Sequence, residues 1–507
     1  MRKQNFIQGT VILITVSAII KVLGLINRFV IARVLTPEGF GVFMLVMPTF
    51  MLLISLSQLG FPITISKLVS ENQIKKNLTN KSIIFGALKI TLINSSILIL
   101  ILLLSANFLA SHLLHDVRTF YPILALTIFI PLVAFSGILK GYLNGLQIID
   151  VTAYSQLIEQ IIRIVASIGL VILLIPYGIT FAVTGTIISL SLGELGSCIY
   201  MIFKILNRKN IPYLLKPIPK LGEPVREILS ISIPATGSRL IGSLTHFFEP
   251  IIFTTAMMYI GIESQITTRL YGQISGYVIS TLIVPSFVVI AISTVLLPII
   301  SSEFANRNIN KIKEFFNLSI LLSFIVGAIY LIIIMLFPKE VMKIFFGTTE
   351  GTKFLFIMAP FFIIYFFEQP IAQTLHAIDK TKAMMISTFI CNGIKLGMIF
   401  ILVSNPNLHV NGLVIAILVN IILITLVNYL ILVKSIKLKP TYSTIILSIL
   451  LFVVTYLFGL ILKDNFNLHY ILTSLLVIIM YILLLFGFNI GNIKELKRQI
   501  KTNLSRK

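Results

Sequence analysis

Long apolar stretches recur along the whole chain, and short polar segments separate them. About 20 apolar residues in a helix are enough to cross the roughly 30 Å hydrocarbon core of a membrane. Windows of this kind lie at 9–34, 39–65, 83–108, 119–140, 152–175, 180–203, 227–258, 272–300, 315–337, 354–377, 383–404, 410–433, 442–462 and 468–489. The pattern predicts an all-α, polytopic membrane protein with about 14 transmembrane helices.

Two of these windows are longer than a membrane span requires, and each contains two prolines. The prolines are Pro234 and Pro250 in the first window, and Pro285 and Pro298 in the second. Proline removes a helical hydrogen bond, so we expect tilted or kinked helices at both places. Broken helices of this kind usually line the cavities of transporters.

The charge of the chain follows from its topology. Lys and Arg number 40 against 18 Asp and Glu, so the net charge is +22, yet 57% of the residues are hydrophobic and the mean hydropathy is +1.02. Cations in short loops are retained on the cytoplasmic side, and with the N-terminus inside, the inner segments hold roughly 27 cations and the outer segments about seven. We therefore expect both termini in the cytoplasm, and the positive charge needs no nucleic-acid partner.

The sequence offers little for chemical catalysis. The first apolar window is too long for a signal peptide, so we expect it to be the first span. The connections between windows are on the order of 20 residues or less, too short for a soluble catalytic domain. P-loop, H-E-x-x-H and G-x-S-x-G motifs are absent from the sequence, and its two cysteines, Cys198 and Cys391, are far apart. We expect no enzyme activity, no cofactor and no metal site.

Several residues recur at one offset, which indicates an internal repeat. At an offset of 232 the matches are Ser70-Glu71 with Ser302-Glu303, Leu143 with Leu375 and Arg163 with Lys395, and Phe40-Gly41 matches Tyr271-Gly272 at one residue less. Six spans per half predict two lobes of the same orientation, related by a pseudo-two-fold axis along the membrane normal. The predicted division is an N-lobe at 1–210, a C-lobe at 211–435, and spans 13 and 14 with a basic tail at 436–507.

The first helix of each predicted lobe carries cations on one face. The repeated positions are Lys21, Gly24 and Arg28 in the first helix, and Arg239, Gly242 and His246 in the second, where Glu249 follows one turn later. An ionised side chain inside a bilayer costs several kcal/mol unless it faces water, a partner or a ligand. We favour a cavity role for Arg28 and Arg239, with a doubly charged anion between them; pairing of Arg28 with Glu249 is the alternative.

Other charged residues inside the windows allow several interpretations. Glu159 and Arg163 stand four residues apart and are expected to form an intrahelical pair. Glu368 and Lys395 are candidates for a relay or for structural pairing. Arg269 lies near a span end, where snorkelling to the interface and substrate binding are equally reasonable.

Four segments of the sequence resemble one transporter family. They read GTVILI at 9–14, RFVIAR at 28–33, GFPITISKLV at 60–69, and RLIGSL at 239–244 followed by FEP at 248–250. In these segments the chain resembles the polysaccharide-transporter branch of the multidrug/oligosaccharidyl-lipid/polysaccharide exporter superfamily, which includes the lipid II flippases. The resemblance implies a two-lobed, fourteen-helix exporter with alternating access, a cationic cavity, and a groove for a lipid tail beside the last two helices. The chain differs from the lipid II flippases of this branch at Asn27-Arg28, where the flippases carry an Arg-Asp pair.

We therefore expect a transporter of the bacterial cytoplasmic membrane that flips an undecaprenyl-diphosphate-linked oligosaccharide. The resemblance implies the peptidoglycan precursor lipid II, moved for spore cortex synthesis. The expected substrate-binding residues are Arg28, Arg239, Lys21, Arg269, His246 and Glu249. Expected partners are the lipid-linked substrate, membrane lipids and a coupling cation, Na⁺ or H⁺, with the protein a monomer. The alternatives are an ion-coupled multidrug exporter of the same superfamily and a flippase for teichoic-acid or capsule precursors.

Overall fold

The computed structural model describes residues 3–75, 80–207, 222–437, 442–466 and 468–488. Within these residues the chain forms 19 α-helices and no strand. The helices are α1 Lys3–Val34, α2 Pro37–Gln58, α3 Phe61–Lys75, α4 Asn80–Phe108, α5 Phe120–Gly145, α6 Ile149–Leu174, α7 Ile179–Asn207, α8 Gly222–Tyr259, α9 Ser264–Tyr271, α10 Ile279–Leu282, α11 Ser286–Ala305, α12 Ile309–Leu336, α13 Pro338–Phe346, α14 Thr352–Met358, α15 Phe362–Ala377, α16 Thr381–Val403, α17 Val410–Ile436, α18 Tyr442–Phe466 and α19 Tyr470–Gly487. Two π-helical segments lie between these α-helices: Leu109–Leu113 follows α4, and Gly272–Val278 follows α9.

Helices long and apolar enough to cross a membrane number 12 in the described part of the chain, or 13 if the two parts of the bent α8 form one span. The prediction of an all-α polytopic membrane protein is confirmed. A count of fourteen stays a prediction. The α1 helix covers the first predicted window, but it is not among the helices counted as long and apolar enough to cross a membrane.

The two overlong windows are broken in different ways. In α8, the segment Pro224–Gly237 meets the segment Gly242–Tyr259 at 46°, so the bend lies between Pro234 and Pro250 and contains neither proline. The other window is not one helix: the π-helical segment and α10 precede a turn, and α11 then begins directly after Pro285. Proline is well suited to this helix start, since its missing N–H would have no intrahelical partner there.

The described helices belong to two compact units. The first comprises Met1–Tyr277 and Leu396–Leu413, and the second comprises Val278–Lys395 and Val414–Lys507. The predicted lobes at 1–210 and 211–435 stay a prediction, and their boundary lies outside the described residues, as does the basic tail from residue 489 onward.

In the first unit, an apolar core forms where α3, α4, α5 and α7 pack together with α8. Phe61, Ile138, Tyr142 and Ile228 lie at its centre and are fully buried. Glycines bring α3 and α5 close, because a Cβ on Gly141 would lie 2.9 Å from the carbonyl oxygen of Phe61. This unit contains the first helix of each predicted lobe and therefore most of the predicted substrate-binding residues.

In the second unit, α18 and α19 pack against α12. Leu336, Leu451 and Tyr481 are buried in their shared core. The ammonium of Lys463 donates a hydrogen bond of 2.8 Å to the carbonyl of Leu336 and lies 5.4 Å from the ring of Phe337. The carbonyl at the end of α12 is thereby satisfied by a neighbouring helix.

Candidate substrate site and buried charge network

The α1 helix presents Arg28 and its neighbour Asn27 to different surroundings. Asn27 is buried and accepts a hydrogen bond of 3.1 Å from the hydroxyl of Ser167 on α6. Arg28 is half-buried and donates to the carbonyl oxygen of Ser275 at 3.3 Å and to the Sδ of Met44 at 3.4 Å. Both acceptors of Arg28 are neutral, so its charge is available to an anion.

A polar chain of contacts leads from Arg28 to Glu249. The guanidinium of Arg28 lies close enough to Tyr271 for an electrostatic interaction. The hydroxyl of Tyr271 in turn donates to the carboxylate of Glu249, and both of these side chains are buried. Beside them, the buried Ser275 side chain also lies within hydrogen-bonding reach of the Tyr271 hydroxyl. Arg28 therefore reaches Glu249 through a phenol that also contacts Ser275.

The segment that carries Ser275 is a π-helix, Gly272–Val278, which continues directly from α9. Such wider turns occur frequently at functional sites. Its start lies against α2, where a Cβ on Gly272 would be 2.6 Å from the Cα of Gly41, and a Cβ on Gly41 would overlap the carbonyl of Thr268. The rings of Phe40 and Tyr277 stack beside this crossing at 5.1 Å. Only glycine allows the two backbones to approach this closely.

This crossing brings together two segments that the internal repeat had matched. Gly41 and Gly272 occupy equivalent positions in the repeat, at an offset of 231 residues, and they touch each other in the fold. Equivalent residues of a two-fold arrangement meet only where the axis passes between them. The contact therefore agrees with a pseudo-two-fold relation between α2 and the segment formed by α9 and the π-helix.

Lys21 and Arg239 are exposed, and neither side chain makes a hydrogen bond or ion pair with the residues that the structure describes. Arg239 lies in the bend of α8, between Gly237 and Gly242, and a Cβ on either glycine would have nothing within 4 Å. The bend thus presents a cation at a point where the helix surface is open.

The two remaining predicted site residues are also exposed. His246 lies on the second part of α8, and Arg269 lies in the last turn of α9, two residues before Tyr271. The structure gives both of them interactions with other groups. The contacts connect Arg28 and Glu249, and the substrate-binding roles of all six residues stay predictions.

A buried charge network joins α5, α6 and α7. The ammonium of Lys140 donates to Glu159 Oε2 at 3.2 Å and to Glu194 Oε1 at 3.0 Å. Arg163 pairs with Glu159 one turn away on the same helix. Two cations and two carboxylates therefore share one site, and their charges sum to zero. The expected pairing of Glu159 with Arg163 is present, but as part of a larger network.

Sequence reasoning missed Lys140, because the predicted window ended at this residue and placed it at the membrane surface. The helix continues to Gly145, so Lys140 lies inside it. Inside the predicted windows of α6 and α7, two carboxylates, Glu159 and Glu194, stood against a single cation, Arg163, and this imbalance was the available signal. Of the other two charged candidates, Glu368 is half-buried near Tyr365 on α15, and Lys395 is buried on α16 with partners of its own.

A second charged cluster ties the start of α2 to the segment before α5. Arg118 pairs with Glu38 and, through two hydrogen bonds of 2.9 and 2.7 Å, with Asp116. Asp116 is only 3% exposed and also accepts a hydrogen bond of 2.6 Å from the hydroxyl of Thr268 on α9. This cluster lies near the glycine crossing and holds the same helices together.

Comparisons with known proteins agree with this architecture. The sequence profile of the polysaccharide biosynthesis protein family matches residues 6–304, and that of the MatE family matches residues 244–401. Stage V sporulation protein B of Bacillus subtilis (strain 168) is 35% identical over 432 residues, which cover 84% of this chain and 83% of that protein.

Solved structures show the same fold at low identity. The lipid II flippase MurJ in an inward closed conformation superimposes with a TM-score of 0.68 and 16% identity, covering 94% of this chain and 99% of MurJ. An inward-facing multidrug resistance MATE transporter of the MOP superfamily gives a TM-score of 0.66 and 16% identity, covering 82% of this chain and 95% of that one. The fold is therefore that of the MOP transporters.

Proposed function

This chain belongs to the polysaccharide biosynthesis protein family, and we propose that it flips an undecaprenyl-diphosphate-linked oligosaccharide across the bacterial cytoplasmic membrane. Its membership of the MOP superfamily makes it a multi-pass membrane transporter. The proposal adds the substrate, the residues that bind it and the orientation, with both termini in the cytoplasm. Transport needs no chemical step, so we propose no enzyme activity and no cofactor.

The cations of α1 and α8 carry this proposal. The side chains of Lys21 and Arg239 are exposed and lack partners in the described part of the chain, and Arg28 donates only to neutral acceptors. Charges at membrane depth are costly unless a ligand or water compensates them. A diphosphate offers several anionic oxygens, and arginine can bind two of them at once through its planar fork.

Lipid II is the substrate that we propose, for spore cortex synthesis. The similarity to stage V sporulation protein B and the structural likeness to a lipid II flippase support this choice. The diphosphate contacts alone do not distinguish lipid II from teichoic-acid or capsule precursors, since all of these share the same linkage. Arg269, His246 and Glu249 complete the proposed binding set, and Na⁺ or H⁺ is the proposed coupling cation of a monomeric transporter.

A multidrug exporter is the second candidate function, because the MatE match and the MATE-like fold are specific observations in its favour. Such an exporter for cationic drugs would bring a positive substrate to the exposed Lys21 and Arg239. Like charges in a site of reduced dielectric repel each other by several kcal/mol. The anionic substrate is therefore the better supported of the two.

The decisive experiment is flipping of fluorescent undecaprenyl-diphosphate lipids by the purified protein in proteoliposomes. Arg239→Ala and Arg28→Ala should each lower the initial flipping rate at least tenfold, because each removes a charge-assisted contact of about 1.5–3 kcal/mol. Lys382→Ala is the matched control: it removes an exposed cation at the start of α16 and should transport normally.

Substrate choice and coupling are tested in the same vesicles. Lipid II should be flipped faster than precursors that carry a teichoic-acid or capsule sugar, and an imposed Na⁺ or H⁺ gradient should change its rate. Wild-type flipping by both arginine variants, or transport of cationic drugs without transport of any polyprenyl lipid, would contradict the proposal.

A further inference from the structure

A cavity of about 420 Å³ is lined by none of the predicted substrate-binding residues. One wall is the segment 111–115 after α4, and the other is the segment 258–267, where α8 ends and α9 begins. Its volume falls in the range of small-molecule sites, about 300–1,000 Å³. In the predicted topology both segments lie on the outer side of the membrane.

The polar groups of this cavity are mainly acceptors. Glu263 contributes an exposed carboxylate. His115 approaches Thr255 Oγ1 with its Nε2 at 3.3 Å, and burial together with the neighbouring His112 lowers the pKa of His115 from its ordinary value of 6.5, so the imidazole is neutral at pH 7. Thr267 lines the cavity, and its buried hydroxyl has no hydrogen-bond partner in the described part of the chain.

The end of α8 adds negative potential. The amide of Gly261 donates to the carbonyl of Met258 at 2.9 Å, and the amide of Ile262 donates to that of Met257 at 3.1 Å, with Gly261 in the left-handed region at φ 79°. This is the common glycine-terminated helix end. A helix C-terminus carries about half a negative charge, and Glu263 follows it directly. α9 begins at Ser264 on the same wall, and the free amides at its N-terminus carry about half a positive charge, which offsets the end of α8. The net negative charge of the cavity therefore comes from the Glu263 carboxylate, which attracts a cation.

The remaining wall of the cavity is apolar. Leu114, Met258 and Ile262 line it beside the acceptors. An ammonium group on a short hydrocarbon stem fits both parts, because its three N–H donors match acceptor groups and its stem matches the apolar side chains.

We propose that this cavity binds a primary alkylammonium group. The site is separate from the diphosphate site proposed above and does not depend on transport. Two kinds of molecule could present such a group at the outer face: a transported precursor with an amine in its head group, or a membrane phospholipid with an ethanolamine head group.

Binding can be measured directly, because the chain contains no tryptophan. Tyr259→Trp places a single indole at the exposed end of α8, next to Met258. In detergent micelles at pH 7.5, n-butylammonium should change the fluorescence saturably, whereas n-butanol and butyrate should not. Glu263→Gln should weaken n-butylammonium binding at least tenfold. Asp464→Asn, a carboxylate-to-amide change at another exposed position, should leave it unchanged.

The source of the amine is resolved by competition in nanodiscs. Weaker n-butylammonium binding in phosphatidylethanolamine than in phosphatidylcholine identifies a lipid head group, since only the former has a primary ammonium. Competition only by an amine-bearing precursor identifies the substrate. The proposal fails if neither competes, if butanol acts like butylammonium, or if Glu263→Gln binds n-butylammonium as tightly as the parent.

Discussion

Replacing Lys140 by Met removes the ammonium that bridges Glu159 and Glu194. Its Nζ lies 3.2 and 3.0 Å from the two carboxylates. At an effective dielectric constant of about 20, each contact corresponds to roughly 5 kcal/mol of attraction. Desolvation of the three groups offsets much of this sum. The variant loses the ammonium and its desolvation, but it keeps the desolvation of the two carboxylates and leaves the network with a net charge of −1. Removing one partner of a buried pair typically costs about 3–5 kcal/mol, and we expect that range for the opening of this region.

The two cysteines of the chain provide the assay. Cys198, on α7 one turn after Glu194, and Cys391, on α16, are both 3% exposed. When opening is fast relative to labelling, the rate at which a thiol reagent modifies a buried cysteine reports the free energy of local opening. In Lys140→Met, Cys198 should be labelled roughly a hundredfold to several-thousandfold faster, whereas Cys391, in the other unit, should change much less.

Two further variants isolate the charge effect. Lys311→Met breaks a lysine-glutamate pair of 3.4 Å in which the lysine is 54% exposed, and it should cost less than about 1 kcal/mol. Adding Glu194→Gln to Lys140→Met restores neutrality and should recover more than half of the loss. If Lys140→Met speeds Cys198 labelling no more than Lys311→Met does, or if Glu194→Gln recovers nothing, the electrostatic account of this network is wrong.

Three other outcomes can be measured with the same thiol assay or with thermal unfolding in detergent. Gly41→Ala should destabilise the protein by at least about 1–3 kcal/mol, because the new Cβ overlaps a backbone carbonyl on α9. The control is Gly169→Ala, whose Cβ would have nothing within 4 Å and which should be neutral or stabilising by up to about 1 kcal/mol. Equal effects of the two substitutions would contradict the close-contact argument. Thr268→Val should cost about 1–3 kcal/mol through its lost bond to a buried aspartate, and the neighbouring Thr267→Val should cost almost nothing, since that hydroxyl has no partner among the described residues. The pKa of His115 is lowered in the folded protein, so the folded state binds fewer protons than the unfolded state. Stability should therefore fall as pH drops below about 6.5. His115→Gln should reduce this pH dependence of stability, and an unchanged pH profile would show that His115 is not its source.

The helices were predictable because the apolar windows are long and few alternatives to a helix exist in hydrocarbon. The ends of individual helices were less predictable, because the sequence shows where polar residues begin but not where the helix ends. The continuation of α5 to Gly145 is one example, and it hid the burial of Lys140. The π-helical segment was also missed, because its altered hydrogen-bonding leaves no signature in the apolar pattern.

The candidate site was predictable in part. The charged positions of α1 and α8 follow from helical spacing, which is a local property. The contacts that decide their surroundings are not local: Arg28 bonds to a carbonyl 247 residues away in sequence, and Lys140 bonds to Glu194 across 54 residues. The phenol of Tyr271, which connects Arg28 to Glu249, had no signal beyond its place in the repeat.

The meeting of Gly41 and Gly272 has a consequence for how such a chain can arise. In an assembly of two identical subunits, a residue near the two-fold axis meets its own copy, so a single codon must suit both sides of the contact. A half-length ancestor that dimerised through this helix would have needed glycine on both sides at once. After fusion the two positions mutate separately, yet each still faces backbone across the crossing, Gly272 that of Gly41 and Gly41 that of Thr268, so neither can acquire a side chain alone. Under the predicted repeat, this part of the chain keeps the constraint of a homodimer inside a single polypeptide.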